Sequence, residues 1–175
     1  KKYDIGMFSR EFNDVEKAAD LYEFYVARGA VFPVINAANP FINEIKTFGL
    51  TKTHFKKIFT SKKTLKWNDF VKTSKSGNIN VYTRNDLCGN SQKWAEFFNT
   101  DDSLLSGKKV NGVEAVINSI RNDIYGISYL DIQSIYDVKN YRKISGIEII
   151  PLDLNEDRII QPEEDLYSTV DNVIT

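Results

Sequence analysis

The sequence predicts an α/β fold in which helices flank a mixed β-sheet, and three observations support this. Short apolar runs typical of strands alternate along the chain with segments in which apolar residues recur at helical intervals. Such alternation places helices against the faces of a sheet. A content of 42% hydrophobic and 13% aromatic residues over 175 residues supplies enough apolar surface for one good core.

Strands are predicted at four apolar runs bounded by turn residues. These runs cover residues 30–36, 79–84, 125–130 and 144–152. Pro33 lies within the first run, and because proline cannot donate a hydrogen bond to a ladder, it either weakens this strand prediction or moves the strand to the edge of the sheet. A helical turn near residues 131–136 joins the last two strands.

Helices are predicted over roughly residues 14–27, 50–62, 89–99 and 111–122, where apolar residues recur every three or four positions. Thr51 or Thr53 is the expected cap of the second helix. Asn111 is the expected cap of the last, and Glu114 completes a capping box. The polar segments 72–78 and 100–109 are predicted to be exposed loops. The residues expected to face inward are Val15, Ala18, Ala19, Tyr22, Val26, Phe55, Ile58, Phe59, Trp94, Phe97, Phe98, Val113, Val116, Ile117 and Ile120.

The segment 82–98 combines an arginine, a turn and a helix start, which is the arrangement that an anion site needs. Arg84 ends a predicted strand, and free backbone N–H groups are expected near Gly89, Asn90 and Ser91. A guanidinium and the positive end of a helix dipole together bind an oxyanion well. An ordinary connection, capped by its own Asp86 or Asn90, has the same spacing. Spacing alone does not distinguish these two interpretations.

The charge balance argues against nucleic acid as a partner. The chain has 23 basic and 24 acidic residues and a formal net charge of -1, so no global field attracts a polyanion or a membrane surface. Residues 43–75 are rich in lysine and residues 153–175 in carboxylates. The lysines fit the solvated face of a helix and its following loop better than a nucleic-acid-binding strip, because the nearby aromatic residues have core spacing.

Cys88 and His54 are the only cysteine and histidine in the chain. A single cysteine excludes an internal disulfide and a cysteine-based metal cluster, and no metal or other cofactor is predicted. His54 is expected on the surface of a helix. Cys88 is expected to be either a small buried hydrophobe or, at a helix start, a nucleophilic thiol, although no base stands beside it in sequence. No apolar run approaches the roughly 18 residues of a transmembrane helix.

The order of motifs along nearly the whole chain resembles the phosphate-binding proteins of ABC uptake systems, which are type 2 periplasmic solute-binding proteins. The motifs that carry the resemblance are DIGMFSRE (4–11), NP (39–40), KIFTSKKTLKW (57–67), a strand followed by R-x-D-x-x-G (79–89), NG before a helix (111–120), YGISYL (125–130) and QPEEDLYS (161–168). The resemblance implies that an oxyanion is held between two α/β lobes and passed to a membrane permease. It also implies an extracytoplasmic, soluble or lipid-anchored parent protein, with any anchor outside this chain, and binding without catalysis.

The family's site residues carry over to seven positions. The arginine of the second lobe falls on Arg84, and Asp86 matches the acidic position that holds it. The family's serine, glycine and threonine at the helix start correspond to Cys88, Gly89 and Asn90. Ser9 matches the serine of the family's first motif, and Arg10 follows it. Because two hydroxyl donors are replaced, the implied ligand is phosphate or a related oxyanion.

The resemblance further implies that the chain is one lobe of a type 2 periplasmic-binding-protein fold. Residues 1–27 are then a remnant of the first lobe or hinge, residues 28–155 the second lobe, and residues 156–175 a hinge or return segment. Two other functions remain open at this point. One is a sensory or adhesive extracytoplasmic module without transport, which a fused signalling domain favours. The other is a Cys88-dependent enzyme, which rapid alkylation of Cys88 favours.

Overall fold

A computed structural model describes residues 6, 11–12, 14–19, 21–26, 29–86, 88–137 and 139–165. The described strands are β1 Val31–Asn36, β2 Leu50–Thr51, β3 Asn80–Arg84, β4 Lys108–Val110, β5 Gly126–Asp131, β6 Ile147–Ile149 and β7 Leu152–Asp153. The described α-helices are α1 Asp14–Ala18, α2 Ile42–Phe48, α3 Lys52–Thr60, α4 Gly89–Phe97, α5 Val113–Asn122 and α6 Ile132–Ile135. Three 3₁₀ turns cover Trp67–Asp69, Asp102–Leu104 and Pro162–Glu164.

Five of the strands form one mixed sheet in the order β4-β3-β5-β1-β6, while β2 and β7 form a separate parallel pair. Strands β4, β3 and β5 are parallel, with Thr83 opposite Lys109 and Val81 opposite Ile127. Strand β1 runs antiparallel to both β5 and β6. The mixed α/β sheet predicted from the sequence is therefore confirmed.

Helices cover both faces of the sheet. Because successive side chains of a strand point to opposite faces, alternate residues of each strand belong to different cores. Ile35 of β1 belongs to the core beneath α2, α3 and α4, where Phe59 and Trp94 pack edge to face with ring centroids 5.4 Å apart. Val34 of the same strand belongs to the core beneath α5 and α6, together with Ile120. Each core residue named here is at most 2% exposed.

The expectation that Pro33 weakens the first strand or moves it to an edge is wrong, since β1 is a six-residue strand that lies between β5 and β6. The carbonyl of Pro33 accepts a hydrogen bond from the N–H of Ile150, one residue beyond the end of β6. The N and O atoms of one strand residue point to the same side. The missing N–H of Pro33 therefore falls where β6 has already ended, and the ladder loses no more than one bond.

The prediction of a helix over residues 14–27 is wrong beyond Ala18. Residues 21–26 have no regular structure, and none of the residues of α1 is buried. Side chains expected to face inward are instead exposed, by 80% at Val15, 89% at Tyr22 and 92% at Val26. A helical pattern without a surface to pack against does not sustain a helix in water.

Two local predictions around α5 are also wrong. The residue at its N-cap is Gly112, at φ 81°, and no side chain caps it, so Asn111 and Glu114 form no capping box. The segment 100–109 contains the start of β4, and its Leu105 is only 3% exposed. Helix α2 was not predicted, because its two turns are too short to show clear periodicity. By contrast, Thr51 caps α3 as expected.

Candidate functional site

The ends of three parallel strands define a candidate site at one edge of the sheet. Arg84, Val110 and Asp131 end β3, β4 and β5. Helices α4, α5 and α6 begin within a few residues of these ends, so their N-termini lie at the same edge. In open α/β sheets, ligands bind beyond the carboxyl ends of the strands.

Arg84 is held in place at this edge by Asp86. Its Nε donates a hydrogen bond of 2.7 Å to one carboxylate oxygen of Asp86, and its Nη2 donates to the other. The Arg84 side chain is only 9% exposed. The hydrogen bond from Arg84 holds the pKa of the Asp86 carboxyl well below its usual range, and the same bond raises the pKa of Arg84. The pair therefore stays ionised at neutral pH.

Asp86 also reaches the start of α5. The same oxygen that bonds Nε of Arg84 accepts a hydrogen bond of 3.3 Å from the backbone N–H of Gly112. A carboxylate at a helix N-terminus is favoured by the helix dipole. Asp86 thus connects β3 to the start of α5. Because the bonds to Asp86 use only Nε and Nη2 of Arg84, its third nitrogen, Nη1, has no acceptor among the described residues.

Among the residues that the structure describes, no side chain caps the start of α4. Its N-cap residue is Cys88, whose side chain makes no capping bond. Asp86 is engaged by Arg84 and Gly112, and Nδ2 of Asn90 donates to Asp131 over 2.8 Å. The alternative of a connection capped by its own Asp86 or Asn90 is therefore wrong. Within the described residues, the first-turn N–H groups of α4 have no acceptor.

Tyr129 links the end of β3 to the start of α4. Its hydroxyl lies 2.8 Å from Oγ of Ser91 and accepts a hydrogen bond of 3.4 Å from the backbone N–H of Arg84. Sγ of Cys88 lies 3.1 Å from the same Ser91 oxygen. Burial raises the pKa of Tyr129, so its hydroxyl remains protonated. This buried contact sets the distance between the arginine and the helix start.

Sequence reasoning missed three residues of this arrangement, namely Gly112, Tyr129 and Asp131. Two signals pointed to them: the Asn-Gly pair before α5, and the polar residue that follows a buried strand at 131. The structure brings together five of the seven predicted site residues, which are Arg84, Asp86, Cys88, Gly89 and Asn90. Ser9 and Arg10 lie outside the described residues.

His54 does not stand in this arrangement. Its Nδ1 accepts a hydrogen bond from the N–H of Thr51 and completes the cap of α3, and its ring packs edge to face against Phe70. Burial lowers the pKa of His54.

A cavity of about 410 Å³ lies between the loop after α3 and strands β3 and β4. It shares no residue with the candidate site at the ends of β3, β4 and β5. Within the described part of the chain, none of the helices has the length and apolar character needed to cross a bilayer.

A family model described as a PBP superfamily domain matches residues 1–171 of the 175. The chain belongs to this family. No curated protein matches the chain in sequence.

Three solved structures share the fold of this PBP superfamily domain. A possible phosphate binding protein from Planctomyces limnophilus is 18% identical with a TM-score of 0.61, over 91% of this chain and 58% of its own. An ABC-type phosphate transport receptor from Vibrio cholerae is 17% identical with a TM-score of 0.60, over 82% and 54%. A Clostridium perfringens structure with bound phosphate, provisionally assigned as a phosphate ABC transporter substrate-binding protein, is 18% identical with a TM-score of 0.62, over 82% and 53%. The chain thus spans little more than half the length of these proteins.

Proposed function

We propose that this PBP superfamily domain is the second lobe of an extracytoplasmic solute-binding protein that binds phosphate or a related oxyanion for an ABC uptake system. The observation that carries the proposal is the uncapped start of α4 beside Arg84, which Asp86 holds in place. The names of the three structural relatives support the same ligand class and the same kind of transporter. The permease and the extracytoplasmic location are part of the proposal.

The donors at the edge suit a tetrahedral oxyanion. The first-turn N–H groups of α4 lie at the positive end of the helix dipole. The guanidinium of Arg84 is already fixed by Asp86, so binding an anion costs little further side-chain entropy. Donation by the backbone does not depend on side-chain identity, so Cys88, Gly89 and Asn90 can serve where the family has hydroxyl residues. We also assign Ser9 and Arg10 to this site, on the resemblance alone.

One lobe supplies only half of such a site. We propose that residues 28–155 form the second lobe, with residues 1–27 and 156–175 as parts of the hinge and first lobe. Closing two lobes over an ion provides the remaining donors and removes water. The chain alone is therefore expected to bind phosphate no tighter than about 1 mM, or about -4 kcal/mol.

Amide chemical shifts followed during a phosphate titration test this proposal. We expect shifts concentrated at residues 84 to 92, weaker binding at higher salt because the half-site is open to screening, and complete loss of the shifts in Arg84→Ala. Cys88→Ser is expected to bind equally well or better, because it restores a hydroxyl donor.

Lys56→Ala is the matched control, because it removes one positive charge from the exposed side of α3. It is expected to leave the phosphate shifts unchanged. The proposal fails if the amides of residues 84 to 92 do not respond to tens of millimolar phosphate, or if Arg84→Ala responds like the unmodified chain.

Binding without chemistry is part of the same proposal. A cysteine-dependent enzyme needs a base beside its thiol, whereas the described contact of the Cys88 sulfur is the hydroxyl of Ser91. Rapid, stoichiometric alkylation of Cys88 near neutral pH would favour the enzyme instead.

A further inference from the structure

The first turn of α3 is closed by two reciprocal hydrogen bonds, and one of the two acceptors is a histidine. The N–H of His54 donates to Oγ1 of Thr51 over 3.2 Å, and the N–H of Thr51 donates to Nδ1 of His54 over 3.3 Å. The usual form of this capping box has glutamate or glutamine at the position of His54. An imidazole titrates close to neutral pH, whereas the carboxylate and the amide of the usual form do not.

Only the neutral form of His54 can make this bond. Because Nδ1 accepts the N–H of Thr51, the neutral ring carries its proton on Nε2. Protonation adds a hydrogen to Nδ1, so that two donors then face each other. The charged ring also lies in the first turn of a helix, where the helix dipole disfavours a positive charge. Uptake of one proton by His54 therefore opens the capping box.

The packing of the ring adds to this effect. The side chain of His54 is partly buried, and its ring packs edge to face against Phe70 with the centroids 5.5 Å apart. The ammonium group of Lys57 lies over the same Phe70 ring, 5.4 Å from its centroid. A protonated His54 would thus be a partly desolvated charge in a place that already holds a cation, and burial of this kind disfavours the charged form.

The charges around the ring act in both directions. Burial and the positive charge of Arg158 lower the pKa of His54, and Lys57 acts in the same direction. The carboxylates of Glu156 and Asp153 favour the charged ring, but the net shift of the pKa is downward. The folded chain therefore holds the neutral ring more strongly than an unfolded chain does.

The capping box also joins α3 to residues 152–158, which comprise β7 and the turn after it. Thr51 is at once the cap of α3 and the last residue of β2, where it pairs with Asp153 in the parallel ladder. Two residues further on, Oγ1 of Thr53 donates a hydrogen bond of 3.3 Å to Glu156. Loss of the cap therefore weakens the helix start at the point where this segment is attached.

We infer that His54 is a pH-sensitive switch: the neutral ring keeps the start of α3 and residues 152–158 together, and protonation loosens both. Because the folded-state pKa lies below the unfolded value of about 6.5, the stabilisation is fully present above that pH. It is lost as the pH falls from there to the folded-state value. The switch shares no residue with the proposed oxyanion site, so either proposal can fail alone.

Proton NMR tests the first step directly, because His54 is the only histidine in the chain. We expect its ring resonances to titrate with a midpoint below that of a histidine in an unstructured peptide, and the amide of Thr51 to shift with the same midpoint. Arg158→Gln removes an unfavourable charge and is expected to raise the midpoint. Arg142→Gln is the matched control, since it removes an equal charge from an exposed residue elsewhere, and is expected to leave the midpoint unchanged. A ring midpoint at or above the peptide value overturns the inference.

His54→Gln tests the second step, because glutamine keeps an acceptor for the capping box and does not titrate. Between about pH 7.5 and pH 5, the unfolding midpoint of the unmodified chain is expected to fall by roughly 2 to 4 °C more than that of His54→Gln. Over the same range, hydrogen-exchange protection of residues 50–56 and 152–158 is expected to fall roughly fivefold in the unmodified chain only, after correction for the intrinsic pH dependence of exchange.

Equal pH dependence of the unmodified chain and His54→Gln, in both unfolding and exchange, also overturns the inference. The ring titration needs no variant, so it decides the matter even if His54→Gln folds poorly.

Discussion

At the scale of single residues, the candidate oxyanion site depends on which hydrogen-bond donors each neighbouring carboxylate engages. The Asp86 carboxylate accepts hydrogen bonds from the Arg84 guanidinium and from the backbone N–H of Gly112, and the Asp131 carboxylate accepts one from the Asn90 amide. Neither carboxylate caps α4 among the described contacts. Among the described residues, these side-chain pairings therefore leave the first-turn N–H groups of α4 without an acceptor.

The ion pair of Arg84 and Asp86 predicts a dependence of stability on acid. The folded-state pKa of Asp86 is depressed, so the stabilisation is fully present above the unfolded value of about 4 and is lost as the pH falls below it. We expect Asp86→Asn to be less stable than the unmodified chain by a constant amount between pH 5 and 7, with the difference shrinking from about pH 4 downward. Urea unfolding between pH 2.5 and 7 measures it, with Glu163→Gln as control. A difference that stays constant down to pH 2.5 would contradict this.

The hydroxyl of Tyr129 predicts a second residue-scale effect. Tyr129→Phe leaves the buried Ser91 hydroxyl and the N–H of Arg84 without this partner. The expected loss is about 1 to 2 kcal/mol of unfolding free energy, measured by urea denaturation. Tyr141→Phe, at a side chain that is 68% exposed, is expected to change stability by less than about 0.5 kcal/mol. Equal effects of the two substitutions would show that the Tyr129 hydroxyl has no structural role.

At the scale of elements, packing decides which amphipathic patterns become helices. Helices α3 and α5 have apolar stripes that meet the sheet, and both form where the sequence predicts. The pattern over residues 14–27 finds no such surface in the described structure, and only five residues of it are helical. An apolar periodicity indicates that a segment can form an amphipathic helix, but tertiary contacts supply most of the stability of a short helix.

Helix α5 offers a direct measure of this packing. Ile120 is 0% exposed, so Ile120→Ala is expected to cost about 2 to 5 kcal/mol of unfolding free energy. Asn118→Ala on the exposed side of the same helix is expected to stay within about 0.5 kcal/mol of the unmodified chain. Thermal and urea unfolding compare the two. A cost below about 1 kcal/mol for Ile120→Ala would mean that α5 is not packed on the sheet.

At the scale of the whole molecule, one sheet carries two separate cores and leaves apolar surface uncovered. Residues 21–26 expose large apolar side chains, among them Phe24 at 82% and Val26 at 92%. Contiguous exposed apolar surface favours association. If the chain is one lobe of a two-lobed protein, part of its surface is also complementary to the other lobe.

We therefore expect a folded monomer in weak equilibrium with a dimer, which sedimentation over a range of concentrations measures. The double substitution Leu21→Ser and Phe24→Ser is expected to shift this equilibrium towards monomer. The double substitution Leu104→Ser and Leu154→Ser, at exposed leucines elsewhere, serves as control. A large, tight oligomer would contradict the division of the chain at residues 28 and 155.

The sequence by itself determined the fold class, the elements with strong periodicity, and the placement of Arg84 between a strand end and a helix start. These features are local, since they follow from residues within one or two turns of each other. Only the tertiary structure decided the strand order, the internal position of β1 and, within the described part of the chain, the absence of a side-chain cap on α4. Those depend on approaches between distant positions, such as Asn90 and Asp131, which are 41 residues apart, and no short-range pattern encodes such a contact.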